Sequence, residues 1–330
     1  MNTLRPLRLL SSDLDGTLLG NPEATQRFKS VWQALPAKTR PVLVYNSGRL
    51  VDDMRKLVAS GQLPAPDFYI GGLGTQVFDE KAGRALDDYN PLLDAGWDRS
   101  RVEAVAVAFP GIRRQPEEFQ AQYKSSWFLE NAKPEQLKDL ELRLVASGLA
   151  VNIVYSSYRD LDILPKQGTK GAALQRLCAE LGIPLEAVLV AGDTGNDSSM
   201  FRLPGVRGVI VDNAHPELFE ATVDIPIYTA RHVLADGVLD GLKHFGVITE
   251  LPPAKQTVIP ADKMEAGFRL LFTGTKLGSL SADERRFIRT GYDHALVAVR
   301  KNITPLGFSA CSLEDNPVTG TDAKIGRAHV

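Results

Sequence analysis

Two aspartates, Asp13 and Asp15, directly follow an apolar stretch near the start of the chain and lead into Gly16 and Thr17. In an open parallel sheet, ligands bind beyond the carboxyl ends of the strands. Two neighbouring carboxylates at such a position are unfavourable unless they hold a cation or share a proton. Mg²⁺ would resolve the repulsion, because it prefers oxygen ligands and also neutralises phosphate. An ordinary acidic turn in solvent is the alternative for an isolated pair.

A serine and a lysine could hold an anion near such a cation. Ser47 ends a second apolar stretch, where its hydroxyl and adjacent N–H groups such as that of Gly48 can bind a phosphate oxygen. The alternative is that Ser47 caps the helix that follows. Lys170 opens a predicted helix, where the helix dipole disfavours a cation. A phosphate or a cluster of aspartates would offset that cost, whereas the alternative is a lysine in solvent.

A second acidic pair, Asp193 and Asp197, follows another apolar stretch, with Asn196 between its members. It brings two more carboxylates to the carboxyl end of a predicted strand. The alternative is a capped turn, in which Asp193 or Asn196 satisfies backbone N–H groups.

The elements that must position these residues alternate between short apolar runs and helical patterns. The predicted strands are 7–10, 41–45, 67–70, 187–191 and 208–211, and the predicted helices are 23–34, 50–60 and 171–181. Apolar strands without polar alternation, separated by helices, indicate a parallel sheet that is covered on both faces. The fold class is therefore α/β, with a Rossmann-like parallel sheet at its core.

The region between the second and third polar motifs differs from this core. It contains strand candidates at 102–109, 125–129 and 149–155 and a helix candidate at 134–145, which together predict an inserted α/β cap. We expect residues 1–86 and 166–249 to form the core and 87–165 the cap. Residues 250–330 then form a proline-containing linker and a C-terminal extension. The last six residues read like one frame of a sequencing adapter, so we expect the natural chain to continue further.

The charge and the cysteine content of the chain exclude some classes of binding partner. The formal net charge is −2, so no global basic field attracts nucleic acid or an anionic membrane. The two cysteines, Cys178 and Cys311, are far apart and form neither a metal-type pair nor a disulfide framework. We expect no signal peptide, because the first ten residues are short and polar, and no apolar run of the sequence is long enough to span a membrane. We therefore expect a cytoplasmic protein whose anionic ligand is held by a local site.

The four polar motifs, taken together and in this order, resemble those of the haloacid-dehalogenase superfamily. The resemblance covers residues 7–245 and implies a fold with a Rossmann-like core and an α/β cap of the class IIB type. It implies that Asp13 is the nucleophile that becomes an aspartyl phosphate and that Asp15 is the general acid and base. Ser47, Gly48 and Lys170 would hold the phosphoryl oxygens.

The same resemblance implies a magnesium site and its supports. Asp13, the backbone carbonyl of Asp15 and Asp193 would ligate Mg²⁺. The supporting residues would be Thr17, which steadies the site, Asn196, which orients its loop, and Asp197, which assists the metal or Lys170.

Within the superfamily, the chain is similar to sucrose-phosphate phosphatases, in stretches 69–75, 120–126, 155–165 and 193–197. This likeness implies that the sugar is contacted by Arg49, Gln120, Lys124 and Asp162. The alternative for Gln120 and Lys124 is a solvated strand of the cap. Tyr123 stands where those enzymes usually carry histidine, so a related disaccharide phosphate, of the glucosylglycerol or mannosylfructose type, is an alternative to sucrose 6-phosphate. Tyr123 or Trp127 could provide a flat platform for a sugar, although Trp127 could instead be a buried core aromatic.

The functional expectation is a magnesium-dependent phosphatase that hydrolyses a sugar phosphate through an aspartyl phosphate. One alternative is a catalytically silent module that binds a sugar phosphate and regulates a fused carbohydrate enzyme. Another is a phosphomutase or phosphotransferase that uses the same aspartate. Residues 291–300 predict a helix, and the stretch around it faintly resembles the start of a glycoside-hydrolase-like domain, which would make the full protein a fusion.

Overall fold

The computed structural model describes residues 5–86, 90–156 and 158–252 of the chain. Its strands are β1 (Leu9–Ser12), β2 (Val42–Asn46), β3 (Phe68–Gly71), β4 (Gln76–Asp79), β5 (Arg84–Ala85), β6 (Arg113–Arg114), β7 (Ser125–Phe128), β8 (Val151–Ser156), β9 (Asp160–Pro165), β10 (Val188–Gly192), β11 (Arg207–Ile210) and β12 (Tyr228–Thr229). Its α-helices are α1 (Pro22–Ala34), α2 (Val51–Ala59), α3 (Asn90–Asp94), α4 (Arg99–Val107), α5 (Pro134–Ala146), α6 (Lys170–Glu180), α7 (Ser198–Phe201), α8 (Pro216–Ala221) and α9 (Leu234–His244). The expectations for residues 253–330, including the helix at 291–300, lie outside the described residues.

The larger sheet has the strand order β12-β11-β10-β1-β2-β3-β4-β5. Strand β1 lies in the middle, parallel to both of its neighbours, and Ser12 pairs with Ala191 on one side and with Tyr45 on the other. Strand β4 is antiparallel to both of its neighbours, β3 and β5, so it alone runs against the other strands of this sheet. The carboxyl ends of β1, β2 and β10 therefore meet at one edge of the sheet.

Successive residues of β1 pack on opposite faces of this sheet. Leu10 belongs to an apolar core that also contains Phe28 of α1 and Leu239 of α9, whereas Leu9 packs with Leu174 of α6 on the other face. Because both faces are buried, the strands carry apolar runs without polar alternation. The predicted α/β fold, with a parallel sheet and helices on both faces, is confirmed.

Local side chains define where the helices begin. The Asn21 side chain accepts from the N–H groups of Glu23 and Ala24 at the start of α1, and the Thr169 hydroxyl accepts from the N–H of Ala172 at the start of α6. The longest α-helices of the described residues, α1 and α5, have 13 residues each. None of the helices in this part of the chain combines the length and the apolar character needed to cross a membrane.

A second, antiparallel sheet has the order β6-β7-β9-β8. One of its faces packs against α4 and α5, where Trp127 and Ile163 of the sheet meet Leu140 and Leu144 of α5 in a third apolar core. The polypeptide leaves the larger sheet after β5 and returns to it after β9. This smaller α/β layer is the inserted cap that the sequence predicts.

The prediction of a strand at 102–109 is wrong, because this stretch forms most of helix α4. Asp98 caps the helix by accepting from the N–H of Arg101. Val102, Ala106 and Phe109 recur at helical spacing and are buried in the cap core. The valines of this stretch suggested a strand, but the spacing of the buried side chains fits a helix.

Candidate active site

Three strand ends bring polar side chains to one edge of the larger sheet. Asp13 follows β1, Ser47 follows β2 and Asp193 follows β10, and all three are at least 95% buried. Backbone bonds extend the sheet to these positions: the N–H of Asp13 donates to Ala191, and that of Ser47 donates to Ile70. The sheet therefore fixes where these side chains start.

Lys170, the first residue of α6, joins two of the aspartates. Its Nζ lies 2.7 Å from Oδ1 of Asp13 and 2.6 Å from Oδ1 of Asp197, and the lysine is 2% exposed. Burial alone would lower the pKa of Lys170, but the two carboxylates outweigh it and raise that pKa above its ordinary value. The ammonium is therefore a fixed positive charge, and the alternative of a solvated lysine is wrong.

The loop that follows β1 contacts Asp193. The Thr17 hydroxyl donates to Oδ1 of Asp193 at 2.9 Å. Gly16 has a φ of +80°, and a Cβ at that position would lie 2.1 Å from Oδ2 of Asp193, so only glycine fits. Burial, and next the charge of Asp197, raise the pKa of Asp193 to about 7. A nearby cation would offset this penalty.

Asp197 is fully buried and links Lys170 to the backbone of the loop after β10. Its Oδ1 accepts from Lys170, while its Oδ2 accepts from the N–H groups of Asp193 and Thr194 at 3.0 and 3.1 Å. This arrangement orients both the ammonium and the loop after β10. Next to it, Oδ1 of Asn196 is a buried acceptor for which the described residues supply no hydrogen-bond partner.

Ser47 does not cap helix α2, so that alternative is wrong. The residue that precedes the helix is Leu50, which makes no side-chain capping bond. Ser47 Oγ instead accepts from the N–H of Arg49, and its carbonyl accepts from the N–H of Leu73. Gly48 lies close to the same leucine, since a Cβ on it would be 3.5 Å from Leu73 Cδ2. The turn at residues 47–49 is thus held by the loop after β3.

Arg49 makes an ion pair that the sequence did not suggest. Its Nε and Nη2 donate to the two carboxylate oxygens of Asp15 at 2.7 and 2.8 Å, and Nη1 reaches Asp53. The Asp15 side chain is 55% exposed and lies outside the buried cluster. The two aspartates after β1 therefore differ in environment: Asp13 is buried beside a lysine, and Asp15 faces solvent beside an arginine.

Side chains of the cap form a second polar cluster. Lys124 Nζ donates to Oδ1 of Asp162 at 2.6 Å and also to the Ser126 hydroxyl, and both Lys124 and Gln120 are buried. The Gln120 side chain bonds the backbone N–H and carbonyl of Ser126. The alternative of a solvated strand for Gln120 and Lys124 is therefore wrong. The sequence did not single out Ser126 as a site residue, although it lies directly opposite Asp162 in the pairing of β7 with β9.

The acidic cluster of the core suits a divalent cation. Oxygens of Asp13, Asp193 and Asp197 lie within 4.8 Å of one another, so three carboxyl groups share one ammonium, and two negative charges are in excess when all three are ionised. Burial and the neighbouring carboxylates Asp197 and Asp193 raise the pKa of Asp13 well above its usual range, against the opposing effect of Lys170. Carboxylate oxygens are the donors that hard divalent cations prefer. Since both oxygens of Asp197 are already bonded, Asp13 and Asp193 are the better candidates for metal ligands.

Comparison with known protein families matches residues 6–246 to the sucrose-6F-phosphate phosphohydrolases. The chain belongs to this family. It is 47% identical over 245 residues to mannosylfructose-phosphate phosphatase of Agrobacterium fabrum, covering 74% of this chain and 99% of that protein. It is 32% identical over 270 residues to sucrose-phosphatase 1 of Nicotiana tabacum, where the match covers 78% of this chain but 63% of the tobacco protein.

Solved structures agree with this assignment. The sucrose-phosphatase of Synechocystis sp. PCC6803, in complex with sucrose and phosphate, is similar with a TM-score of 0.67 and 29% identity, over 73% of this chain and 99% of that one. A sugar phosphatase of haloacid-dehalogenase subclass IIB shares the fold, with a TM-score of 0.54 and 19% identity over 73% of this chain and 100% of that one. The predicted superfamily and subfamily are confirmed, and the chain is a phosphoric monoester hydrolase.

Proposed function

We propose that this protein is a magnesium-dependent phosphatase that removes the phosphate from a disaccharide phosphate. The observation that carries the proposal is the buried ammonium of Lys170, held between Asp13 and Asp197 beside Asp193. A phosphate ester needs positive charge around its oxygens and a nucleophile in line with phosphorus. A fixed lysine, a divalent cation and a carboxylate at a strand end supply both.

The chain's own residues can carry the two chemical steps. A carboxylate oxygen of Asp13 forms a bond to phosphorus while the bond between phosphorus and the sugar oxygen breaks, and Asp15 gives its proton to that oxygen. Asp15 then takes a proton from a water molecule, whose oxygen attacks phosphorus and releases Asp13 together with inorganic phosphate. Ser47, the N–H of Gly48 and Lys170 hold the phosphoryl oxygens throughout.

Asp13, the backbone carbonyl of Asp15 and Asp193 would hold Mg²⁺, with Thr17 and Asp197 fixing the Asp193 loop. When bound, the ion neutralises phosphate charge and offsets the repulsion among the carboxylates. Asn196 lies in the same loop, between Asp193 and Asp197, and is proposed to orient it.

The sugar side of the site is proposed to be the cap cluster of Gln120, Lys124 and Asp162, together with Arg49 of the core. Gln120 and Lys124 already have hydrogen-bond partners within the cap, so they support the sugar site by fixing its polar groups, and the partly exposed Asp162 is the group that a sugar hydroxyl can reach. The first candidate substrate is a mannosylfructose phosphate, supported by 47% identity over 99% of the Agrobacterium phosphatase. Sucrose 6-phosphate is the second, supported by the lower identity to the plant enzymes.

A phosphate-release assay with Mg²⁺ tests the proposal on both disaccharide phosphates. We expect turnover by the parent protein and a fall in kcat of more than about 10³-fold in Asp13→Asn, because the amide is a far weaker nucleophile. Asp236→Asn is the matched control, since this carboxylate pairs with Arg27 away from the site, and it should keep the parent activity. Equal turnover by the parent and Asp13→Asn would refute the mechanism.

Product analysis separates the remaining alternatives. A phosphatase yields free disaccharide and inorganic phosphate, whereas a phosphomutase yields an isomeric sugar phosphate. A silent module yields neither product and only binds the ligand. The names of the relatives and the complete set of motif side chains favour hydrolysis.

A further inference from the structure

Phe119 is an apolar side chain exposed beside a charged cluster. It lies in the cap at the end of the short 3₁₀ turn Glu117–Phe119 and is 46% exposed. A single exposed apolar side chain is common on protein surfaces, so the exposure of Phe119 assigns it no role without the groups that surround it.

The backbone of Phe119 is part of the cap cluster. Its carbonyl accepts from the Ser126 hydroxyl at 3.0 Å and from Lys124 Nζ at 3.4 Å. Its Cβ therefore lies within about 6 Å of that hydroxyl. The next residue, Gln120, is buried and bonded to the backbone of Ser126, which fixes the turn in place. The backbone of Phe119 is thus fixed at the rim of the cluster.

This cluster borders the catalytic edge of the core. A Cβ on Gly72 would lie 3.7 Å from Cδ of Lys124, so the stem of that lysine lies against the loop after β3. The same loop holds the turn of Ser47 and Arg49: the N–H of Gly72 donates to Arg49, and that of Leu73 donates to Ser47. A phosphate ester held at Ser47 would therefore extend toward the cap cluster.

The aromatic residues that the sequence suggested as sugar platforms are buried. Trp127 is 2% exposed and its indole N–H donates to the Ser125 hydroxyl, as expected for a core aromatic. Tyr123 is 6% exposed and its hydroxyl donates to Asp94. Tyr158 is exposed but lies in the turn between β8 and β9, where its carbonyl bonds Asn131. Neither Trp127 nor Tyr123 can offer a ring face to a ligand without leaving the core.

We infer that Phe119 is the aromatic platform for a sugar ring of the disaccharide phosphate, an inference that rests on the proposed function. Its face packs against the C–H groups of the ring, while Asp162, whose side chain is 17% exposed, accepts from a hydroxyl. The phosphate is held by the core, so the platform adds affinity for the sugar and little for the phosphate. Phe119 is thus a specificity-determining residue.

The test measures KM and kcat with the disaccharide phosphate that the parent hydrolyses and with p-nitrophenyl phosphate, an ester without a sugar. Phe119→Ala should raise KM for the disaccharide phosphate about tenfold, the equivalent of one lost aromatic contact, and change kcat less than about twofold. Hydrolysis of p-nitrophenyl phosphate should be unchanged. Phe119→Trp, which keeps a flat ring, should stay within about threefold of the parent KM.

Phe219→Ala is the matched control, because Phe219 is 38% exposed on α8, outside the cap. It should leave both substrates unaffected. The platform is refuted if Phe119→Ala leaves KM for the disaccharide phosphate within about twofold, if Phe119→Trp is as impaired as Phe119→Ala, or if p-nitrophenyl phosphate is affected equally. A parent protein that hydrolyses neither disaccharide phosphate would instead refute the proposed function, and the platform with it.

Discussion

Replacing Asp197 with asparagine tests whether this carboxylate holds the buried ammonium of Lys170 in place. Asp197 is fully buried and accepts from Lys170 at 2.6 Å and from two backbone N–H groups at 3.0 and 3.1 Å. Asparagine keeps the shape, but its NH₂ group turns a donor toward one of these donors. A lost hydrogen bond to a charged group costs about 1.5–3 kcal/mol, and a buried donor left unpaired adds about 1–3 kcal/mol. We expect a loss of about 3–5 kcal/mol in the free energy of unfolding.

Urea unfolding in the presence of Mg²⁺ measures this loss. With a slope of about 3 kcal/mol per M, the midpoint should fall by about 1–1.7 M. Asp139→Asn is the matched control: its pair with Arg143 is also short, at 2.8 Å, but both side chains are half exposed. An exposed pair of this kind contributes less than about 0.5 kcal/mol, so the midpoint should barely move. A loss below about 1 kcal/mol for Asp197→Asn would refute the idea that buried charge pairing holds the site together.

Two further predictions concern the loop after β3 and the cation. Gly74 has a φ of +99°, and a Cβ there would lie 2.1 Å from the carbonyl oxygen of Thr169. Gly74→Ala should therefore lower the free energy of unfolding, measured by heat or urea, by more than about 2 kcal/mol. Gly83→Ala, at a φ of +65° in open space, should cost about 1 kcal/mol, and equal losses would contradict the packing argument. Mg²⁺ at about 100 times its Kd should raise the parent Tm by roughly 5–10 °C. The Asp193→Asn variant should not show this rise in Tm. If Mg²⁺ raises the Tm of the variant as much as that of the parent, Asp193 is not a ligand.

The motifs at the ends of the apolar strands could be predicted from the sequence alone. Asp13, Ser47 and Asp193 each follow a run whose residues alternate between two buried faces, and the parallel register then brings them to one edge. The strands begin within two residues of their predicted positions: the run predicted at 7–10, for example, forms β1 at Leu9–Ser12. Local pattern suffices here because burial on both faces leaves a strong apolar signal.

Other features depended on residues distant in sequence. Residues 102–109 belong largely to helix α4, and the partners of their buried side chains in β7, β9 and α5 lie elsewhere in the sequence. The pairing of Arg49 with Asp15 joins positions 34 residues apart, and neither residue type indicates its partner. The choice between Tyr123, Trp127 and Phe119 as an exposed ring was likewise a matter of burial.

The sequence by itself determined the class of chemistry, because the order of carboxylates, hydroxyl and ammonium after apolar strands restricts what the site can bind. The tertiary structure decided which of these groups are buried and which charges are paired. Lys170 is a buried charge rather than a solvated one because two carboxylates, 157 and 27 residues away in sequence, bond it. Burial and charge pairing depend on distance in space, and only the folded chain sets that distance.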